Sequence, residues 1–258
     1  MYIFILGLIL LVCGCHGPGT EPSTPAISRG RAIGDADLPA VVRVLQSDGK
    51  ACSGSIVQAG AILTAAHCTL GLPVTVLGRV PKTILRAVDT AGAGPDDLAL
   101  ILYEPKPSDP EPLLLAEKGN FRVGTCGRIA GFGAEDPTSE RGIGSKRVGE
   151  NCLSSADELL LIVSCDRDGD LRSNIAPGDS GGPFLVNGKL LGVATGLIHS
   201  GQCWQGWFVN LTSETSRVFL KERISENPVD KLSGTPQAAS VGLSLEPINR
   251  FIHAVEGQ

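Results

Sequence analysis

The sequence predicts an all-β fold in two halves of six strands each, ended by one short helix. Apolar runs of about four to eight residues, short for helices, recur along the chain in two groups. A proline-rich stretch that interrupts any sheet ladder separates the groups. The chain of 258 residues carries 33 glycines and 17 prolines, as expected of a fold that turns often.

The first group of runs comprises Val41 to Leu45, Gly54 to Val57, Ala61 to Ala65, Val74 to Val80, Ile84 to Val88 and Asp97 to Tyr103. Glu104 to Glu117 then forms a crossing between the halves. The second group comprises Arg122 to Ile129, Ser145 to Cys152, Leu159 to Cys165, Pro183 to Val186, Leu190 to Thr195 and Trp207 to Leu211. After it, Thr212-Ser213-Glu214 supplies capping residues, and Val218, Phe219, Leu220 and Ile224 have helical spacing, so a closing helix is expected. The expected organisation is a signal segment over 1–15, a tether or propeptide over 16–31, a first half over 32–117, a second half with the helix over 118–225, and a tail over 226–258.

With 42% hydrophobic residues the chain can bury a sizeable core. Its net charge of −5, with no basic patch, excludes a nucleic-acid partner of the phosphate-tracking kind. The apolar run Tyr2 to Val12 is short for a membrane span and suits the core of a signal peptide. Export is therefore expected. The run leads into Val12-Cys13-Gly14-Cys15, which resembles a bacterial lipoprotein box. Two readings stay open: lipidation of Cys15 with attachment to a membrane, or an ordinary secretory signal cut nearby. Residues 16–31 are rich in Gly, Pro, Ser and Thr and read as a tether without core. Cys52, Cys68, Cys126, Cys152, Cys165 and Cys203 then remain, an even number that suits three disulfides in an oxidising compartment. None of the six stands in a C-x-x-C pair, so zinc is not expected.

Three segments carry chemistry. Pro177-Gly178-Asp179-Ser180-Gly181-Gly182-Pro183 sets a serine in a glycine-rich turn ahead of the apolar run Phe184-Leu185-Val186. A serine hydroxyl attacks a carbonyl only with a base in reach and with N–H donors converging on the developing oxyanion, and close-packed glycines permit that convergence. In Ile62-Leu63-Thr64-Ala65-Ala66-His67-Cys68 an apolar strand ends at a histidine, and a Cys52–Cys68 bridge would pin the histidine's loop to the preceding hairpin. In Pro95-Asp96-Asp97-Leu98-Ala99-Leu100 an aspartate heads a buried strand, where it can fix the histidine's tautomer and stabilise an imidazolium. Taken singly, the histidine could be structural and the aspartates a solvated turn.

Together, in the order His, Asp, Ser, these segments resemble the chymotrypsin–trypsin family over roughly Leu38 to Ser225. The resemblance implies two six-stranded antiparallel barrels with the active site in the cleft between them. It makes His67 the general base and acid, Asp97 its orienting partner and Ser180 the nucleophile of a serine endopeptidase acting on proteins or peptides. The N–H groups of Gly178 and Ser180 would form the oxyanion hole. Asn174, Ile175, Thr195, Gly196, Leu197 and Gly206 would line the primary specificity pocket. No metal or organic cofactor is implied, and a monomer is expected.

The chain also departs from the family pattern. The pocket base, an aspartate in trypsin, is Asn174, so a neutral amide replaces the charge that would attract Lys or Arg, and cleavage after uncharged residues is expected. The usual Ile-Val-Gly-Gly start is missing, and Arg31-Ala32-Ile33-Gly34 stands as its counterpart. For Asp179, two partners are open: Arg128, as in bacterial alpha-lytic-type members, or a new N-terminus cut after Arg31. Strand adjacency favours Cys126 with Cys152 and Cys165 with Cys203. The alternative to an enzyme is a catalytically silent protease-like binding protein, its pocket blocked by Ile175 or Leu197. Asn210-Leu211-Thr212 matches a glycosylation acceptor and is expected to be fortuitous.

Overall fold

The computed structural model describes residues 27, 29–89, 92–119, 121–165, 172–201 and 203–224. The signal segment, Cys15 and the tail lie outside them. After a two-residue strand, β1 (Arg31–Ala32), the chain lays down β2 (Val41–Gln46), β3 (Ala51–Gln58), β4 (Ala61–Thr64), β5 (Val74–Val76), β6 (Thr83–Arg86) and β7 (Ala99–Leu102). β2 to β7 form one antiparallel sheet in the order β5-β2-β3-β4-β7-β6. The second half contributes β8 (Cys126–Gly131), β9 (Arg147–Ala156), β10 (Leu160–Val163), β11 (Pro183–Val186), β12 (Lys189–Ser200) and β13 (Cys203–Asn210). These run β9-β10-β13-β12-β11-β8, and β8 pairs back onto β9, closing a barrel. Among the described residues β5 and β6 do not pair, so the first sheet is a half-open barrel.

Continuous apolar runs mark strands buried on both faces. β4 (Ala-Ile-Leu-Thr) and β7 (Ala-Leu-Ile-Leu) are buried at every position. One face of each meets the first barrel's core around Val44 and Ile56. The other packs Leu63, Leu98 and Leu100 against Leu185, Leu190 and Val209 of the second barrel and Leu220 of the helix. This shared core sets the two barrels edge to edge, and the cleft between them inherits their rigidity. The crossing stitches the halves: Leu113 N–H donates to the Ile56 carbonyl at 2.8 Å, and Ala116 N–H to that of Leu190 at 2.8 Å.

Strand ends follow local chemistry. The run expected from Val74 to Val80 stops at Val76, where Leu77 and Gly78 take φ of 51° and 69° and the chain reverses between Val76 and Arg79. Conversely, β12 runs past Thr195 to Ser200, because β13 pairs with it as far as Ser200 opposite Cys203. The helix α1 (Glu214–Ile224) starts where Ser213 Oγ accepts the Ser216 N–H at 3.0 Å. Asn210, of the glycosylation-like tripeptide, is buried, and its amide donates to the Asp157 carbonyl at 3.0 Å.

The described end of the segment read as a tether, Ile27 and residues 29–31, departs from that reading, and its residues 16–26 and 28 lie outside the described residues. Ile27 has no exposed surface and packs in the second barrel's core with Ile129, Leu161 and Phe184, and β1 pairs with β9 of that barrel. Composition over a window hides one apolar residue that meets a preformed core. The three disulfides are Cys52–Cys68, Cys126–Cys152 and Cys165–Cys203. Cys126 and Cys152 stand directly opposite each other on β8 and β9.

Candidate active site

The first barrel presents His67 on a 3-10 turn, Ala66–Thr69, directly after β4. Cys68 bonds to Cys52 of β3, and its carbonyl accepts the Gln46 amide at 3.0 Å, so the turn is held from both sides. Asp97 precedes β7, the strand paired to β4, and is 1% exposed, whereas its neighbour Asp96 is half-buried. Its Oδ1 accepts the His67 backbone N–H at 2.9 Å, and its Oδ2 lies 2.7 Å from His67 Nδ1. A buried carboxylate in that position selects the tautomer with the proton on Nδ1 and leaves Nε2 as the ring's acceptor.

Thr195 completes the carboxylate's shell. Its Oγ1 donates to Asp97 Oδ2 at 2.6 Å and accepts from Gly94 N–H at 3.0 Å. With its single proton committed to the carboxylate, the Gly94 carbonyl at 3.4 Å remains only a neighbour. Thr195 was read as pocket lining, yet its side chain turns toward the aspartate. The signal in the sequence was one hydroxyl among the apolar residues Leu190 to Ala194.

Ser180 sits half-buried in the turn before β11, and its carbonyl accepts the Ser53 N–H of the first barrel at 2.8 Å. Cys68 Sγ lies 3.6 Å from the same carbonyl, a packing contact because the sulfur is in a disulfide and has no proton to donate. Gly178 takes φ of 96°, and a Cβ there would lie 2.9 Å from Gly133 Cα, so both backbone and space require glycine.

Asp179 is 1% exposed, and its oxygens accept the backbone N–H groups of Gly133 at 2.8 Å and Ala176 at 2.9 Å. Burial pushes its carboxyl up to about 7, against those two N–H groups and the Arg147 charge, which pull it down. The expected Asp179–Arg128 pair is not formed. Arg128 is exposed, opposite Glu150 and Leu185 in the register, and it is the following Ile129 that turns inward. Arg147 is the cation whose field reaches Asp179. It is 5% exposed, and its Nη1 donates to the Gly133 carbonyl at 3.2 Å and the Gly142 carbonyl at 2.6 Å while Nη2 meets Glu135 at 3.1 Å. Sequence reading missed Arg147 because its neighbour Lys146 and the glycine-rich loop before it look solvated.

Of the expected pocket residues, Asn174 is fully buried, its Nδ2 donating to the Trp204 carbonyl at 2.7 Å and its Oδ1 accepting the Ile175 N–H at 2.9 Å. Gly206 faces it so closely that a Cβ there would lie 2.6 Å from Asn174 Oδ1. Ile175 and Leu197 pack into one apolar cluster with Val163 and Phe208. Gly196 lies under the loop before Asp97, where a Cβ would come within 2.6 Å of Ala93 Cβ.

The chain is similar to known proteins in sequence and in fold. A trypsin of Saccharopolyspora erythraea is 26% identical over 189 residues, covering 62% of this chain and 81% of its own. An uncharacterized peptidase of Corynebacterium glutamicum is 28% identical over 157 residues, and the chain spans about half of its length, 52%. Among solved structures, mouse neuropsin, a serine protease, superposes with a TM-score of 0.60 at 20% identity, covering 76% of this chain and 98% of its own. A scabies mite inactivated protease paralogue does so with 0.58 at 15% identity, covering 74% and 96%. The family model described as Trypsin matches residues 27–212, well over half of the chain, and the protein belongs to the trypsin family of peptidases.

Proposed function

We propose that the protein is a serine endopeptidase that hydrolyses peptide bonds through an acyl-enzyme, with Ser180 as nucleophile, His67 as base and acid, and Asp97 as the orienting carboxylate. The observation that carries this reading is the hydrogen-bonded unit of His67 Nδ1 on Asp97 Oδ2 at 2.7 Å, in a chain whose Ser180 turn is bonded to the same barrel through Ser53. In the proposed reaction Ser180 Oγ forms a bond to the scissile carbonyl carbon as its proton passes to His67 Nε2. The carbonyl oxygen becomes the oxyanion, held by the Gly178 and Ser180 N–H groups. The imidazolium then protonates the leaving amine, and water repeats the sequence on the ester.

The primary pocket in this reading is neutral and shallow. Asn174 has its amide committed to the Trp204 carbonyl, and Ile175 and Leu197 pack into the apolar cluster with Val163 and Phe208. Cleavage after small or medium uncharged residues follows, not after Lys or Arg. Export by the N-terminal segment, with lipidation of Cys15 as one route to the envelope, belongs to the same proposal, and the three disulfides suit an oxidising compartment.

Labelling of the folded protein by a fluorophosphonate probe, lost in Ser180→Ala, is the expected result. A folded wild type that takes no label would support the second reading, a silent binding protein, which the apolar packing of Ile175 and Leu197 favours.

A further inference from the structure

Ser53 belongs to β3 of the first barrel, is fully buried, and reaches the nucleophile's turn with both main chain and side chain. Its N–H donates to the Ser180 carbonyl at 2.8 Å. Its Oγ accepts the Phe132 N–H at 2.9 Å and lies 3.0 Å from the Gly178 carbonyl. A hydroxyl has one proton, and with Phe132 occupying a lone pair the proton goes to Gly178. The Ser53 carbonyl in turn accepts Thr64 Oγ1–H at 2.7 Å. The surroundings are closed: a Cβ on Gly131 would lie 2.9 Å from Ser53 Oγ, and one on Gly182 3.2 Å from Ser53 Cβ.

The three successive peptides of the turn are each held by their carbonyl. That of Pro177 accepts Ala134 N–H at 2.8 Å, and that of Asp179 accepts Gly182 N–H at 2.8 Å. In the peptide between them, Gly178–Asp179, the N–H donates to the Ala176 carbonyl at 3.0 Å, and the carbonyl is held by the Ser53 side chain. This peptide lies between the two peptides that carry the Gly178 and Ser180 N–H groups, and it follows a glycine at φ 96°, the softest backbone position of the turn. Rotation there would swing one donor away from the other.

We infer that Ser53 is a positioning residue for peptide-bond hydrolysis: its hydroxyl locks the Gly178–Asp179 peptide and thereby fixes the relative direction of the two oxyanion donors. The inference rests on the endopeptidase reading above. It gives the first barrel a share in the oxyanion site that is separate from supplying His67 and Asp97.

The test uses the full chain and the variants Ser53→Ala and Ser53→Gly, both of which keep the residue's backbone bonds. Wild type is first labelled with the fluorophosphonate, which tests the endopeptidase reading by itself. Each folded variant is then compared for kcat and KM on one peptide substrate and for inhibition by a matching peptidyl aldehyde, whose hemiacetal oxygen occupies the oxyanion position. The expected result is a kcat about tenfold or more lower, a KM within about twofold, and an aldehyde Ki raised in step with the loss in kcat/KM. An unchanged kcat in a folded variant of a labelled wild type overturns the role of Ser53 and leaves the endopeptidase reading standing. So does a rise in KM alone. Failure of both variants to fold overturns it as well, since the hydroxyl would then serve the fold and not the donors. An unlabelled wild type removes both readings together.

Discussion

Thr195 Oγ1 stands 2.6 Å from Asp97 Oδ2, joining β12 of the second barrel to the head of β7 in the first across 98 residues of sequence. The same carboxylate oxygen faces His67 Nδ1, so the two barrels meet on one buried atom. A carboxylate without water depends on such donors, because each lost bond leaves charge unscreened.

Thr195→Val keeps the shape of the side chain and removes that donor. The expected loss is about 1.5–3 kcal/mol of hydrogen bonding to a charged group, read as a fall in kcat/KM of about tenfold or more. Thr195→Ser keeps the donor and should remain within about threefold of wild type. Equal rates for Thr195→Val and wild type on the same peptide would show that the bond does not support His67 through Asp97.

Asp179 predicts a pH-dependent stability. Its carboxyl is raised by burial from an ordinary 3.8 to about 7, so between those values the folded chain holds a proton that the unfolded chain releases. The stabilising effect of that proton is fully present below about pH 4 and is lost as pH rises through about 7, an amount on the order of 4 kcal/mol. Asp179→Asn abolishes this slope. Placing an amide opposite the Gly133 or Ala176 N–H adds a cost, but one that is the same at every pH. Urea unfolding at pH 4.5 and 7.5, disulfides intact, should show wild type losing stability relative to Asp179→Asn at the higher pH. A constant difference between the two would contradict the assignment.

What was legible in the sequence was local. His67, Asp97 and Ser180 announce themselves because each stands in a short segment whose glycines, cysteine or apolar neighbours serve the same task, and the twelve runs declared themselves by length and apolarity. What was not legible depends on contacts between distant segments. Ser53 reaches Gly178 across 125 residues, and no neighbour in its own strand signals that reach. Arg128 was expected to meet Asp179 because sequence alone does not decide which face of a twisted strand a residue takes, whereas the β8–β9 register does. Ile27 was lost in a proline- and serine-rich window for the same reason: its burial belongs to the barrel it meets.

Asn174→Asp separates pocket charge from pocket shape. In an open pocket the new carboxylate would recruit Lys or Arg substrates. Here it would place an oxygen against the Trp204 carbonyl, now met by the Asn174 amide at 2.7 Å, in a site with no exposure. The cost of a buried unpaired charge, several kcal/mol, should appear as a lower Tm with no gain in cleavage after Lys or Arg. A stable variant with new tryptic specificity would show that the pocket is open to solvent and substrate.

The Cys52–Cys68 bond links strand β3 to the turn that carries His67, and so it bears on stability and on catalysis separately. Closing a loop of 16 residues is worth about 3 kcal/mol by the chain-entropy relation, and replacing both cysteines by alanine should lower unfolding free energy by that order. The local effect is different in kind. Cys68 packs against the Ser180 carbonyl, and its own carbonyl anchors Gln46, so the bond holds the His67 turn against the Ser180 turn from within the first barrel. Under conditions where the double variant remains folded, kcat should still fall by about tenfold, because a sub-ångström drift of the imidazole weakens proton transfer without touching the substrate pocket. Reduction of Cys126–Cys152, on β8 and β9 of the second barrel, provides the control. Loss of stability without loss of kcat there, and loss of both at Cys52–Cys68, would separate a staple of the fold from a support of the base. Equal kcat for the Cys52–Cys68 variant and wild type would refute the support.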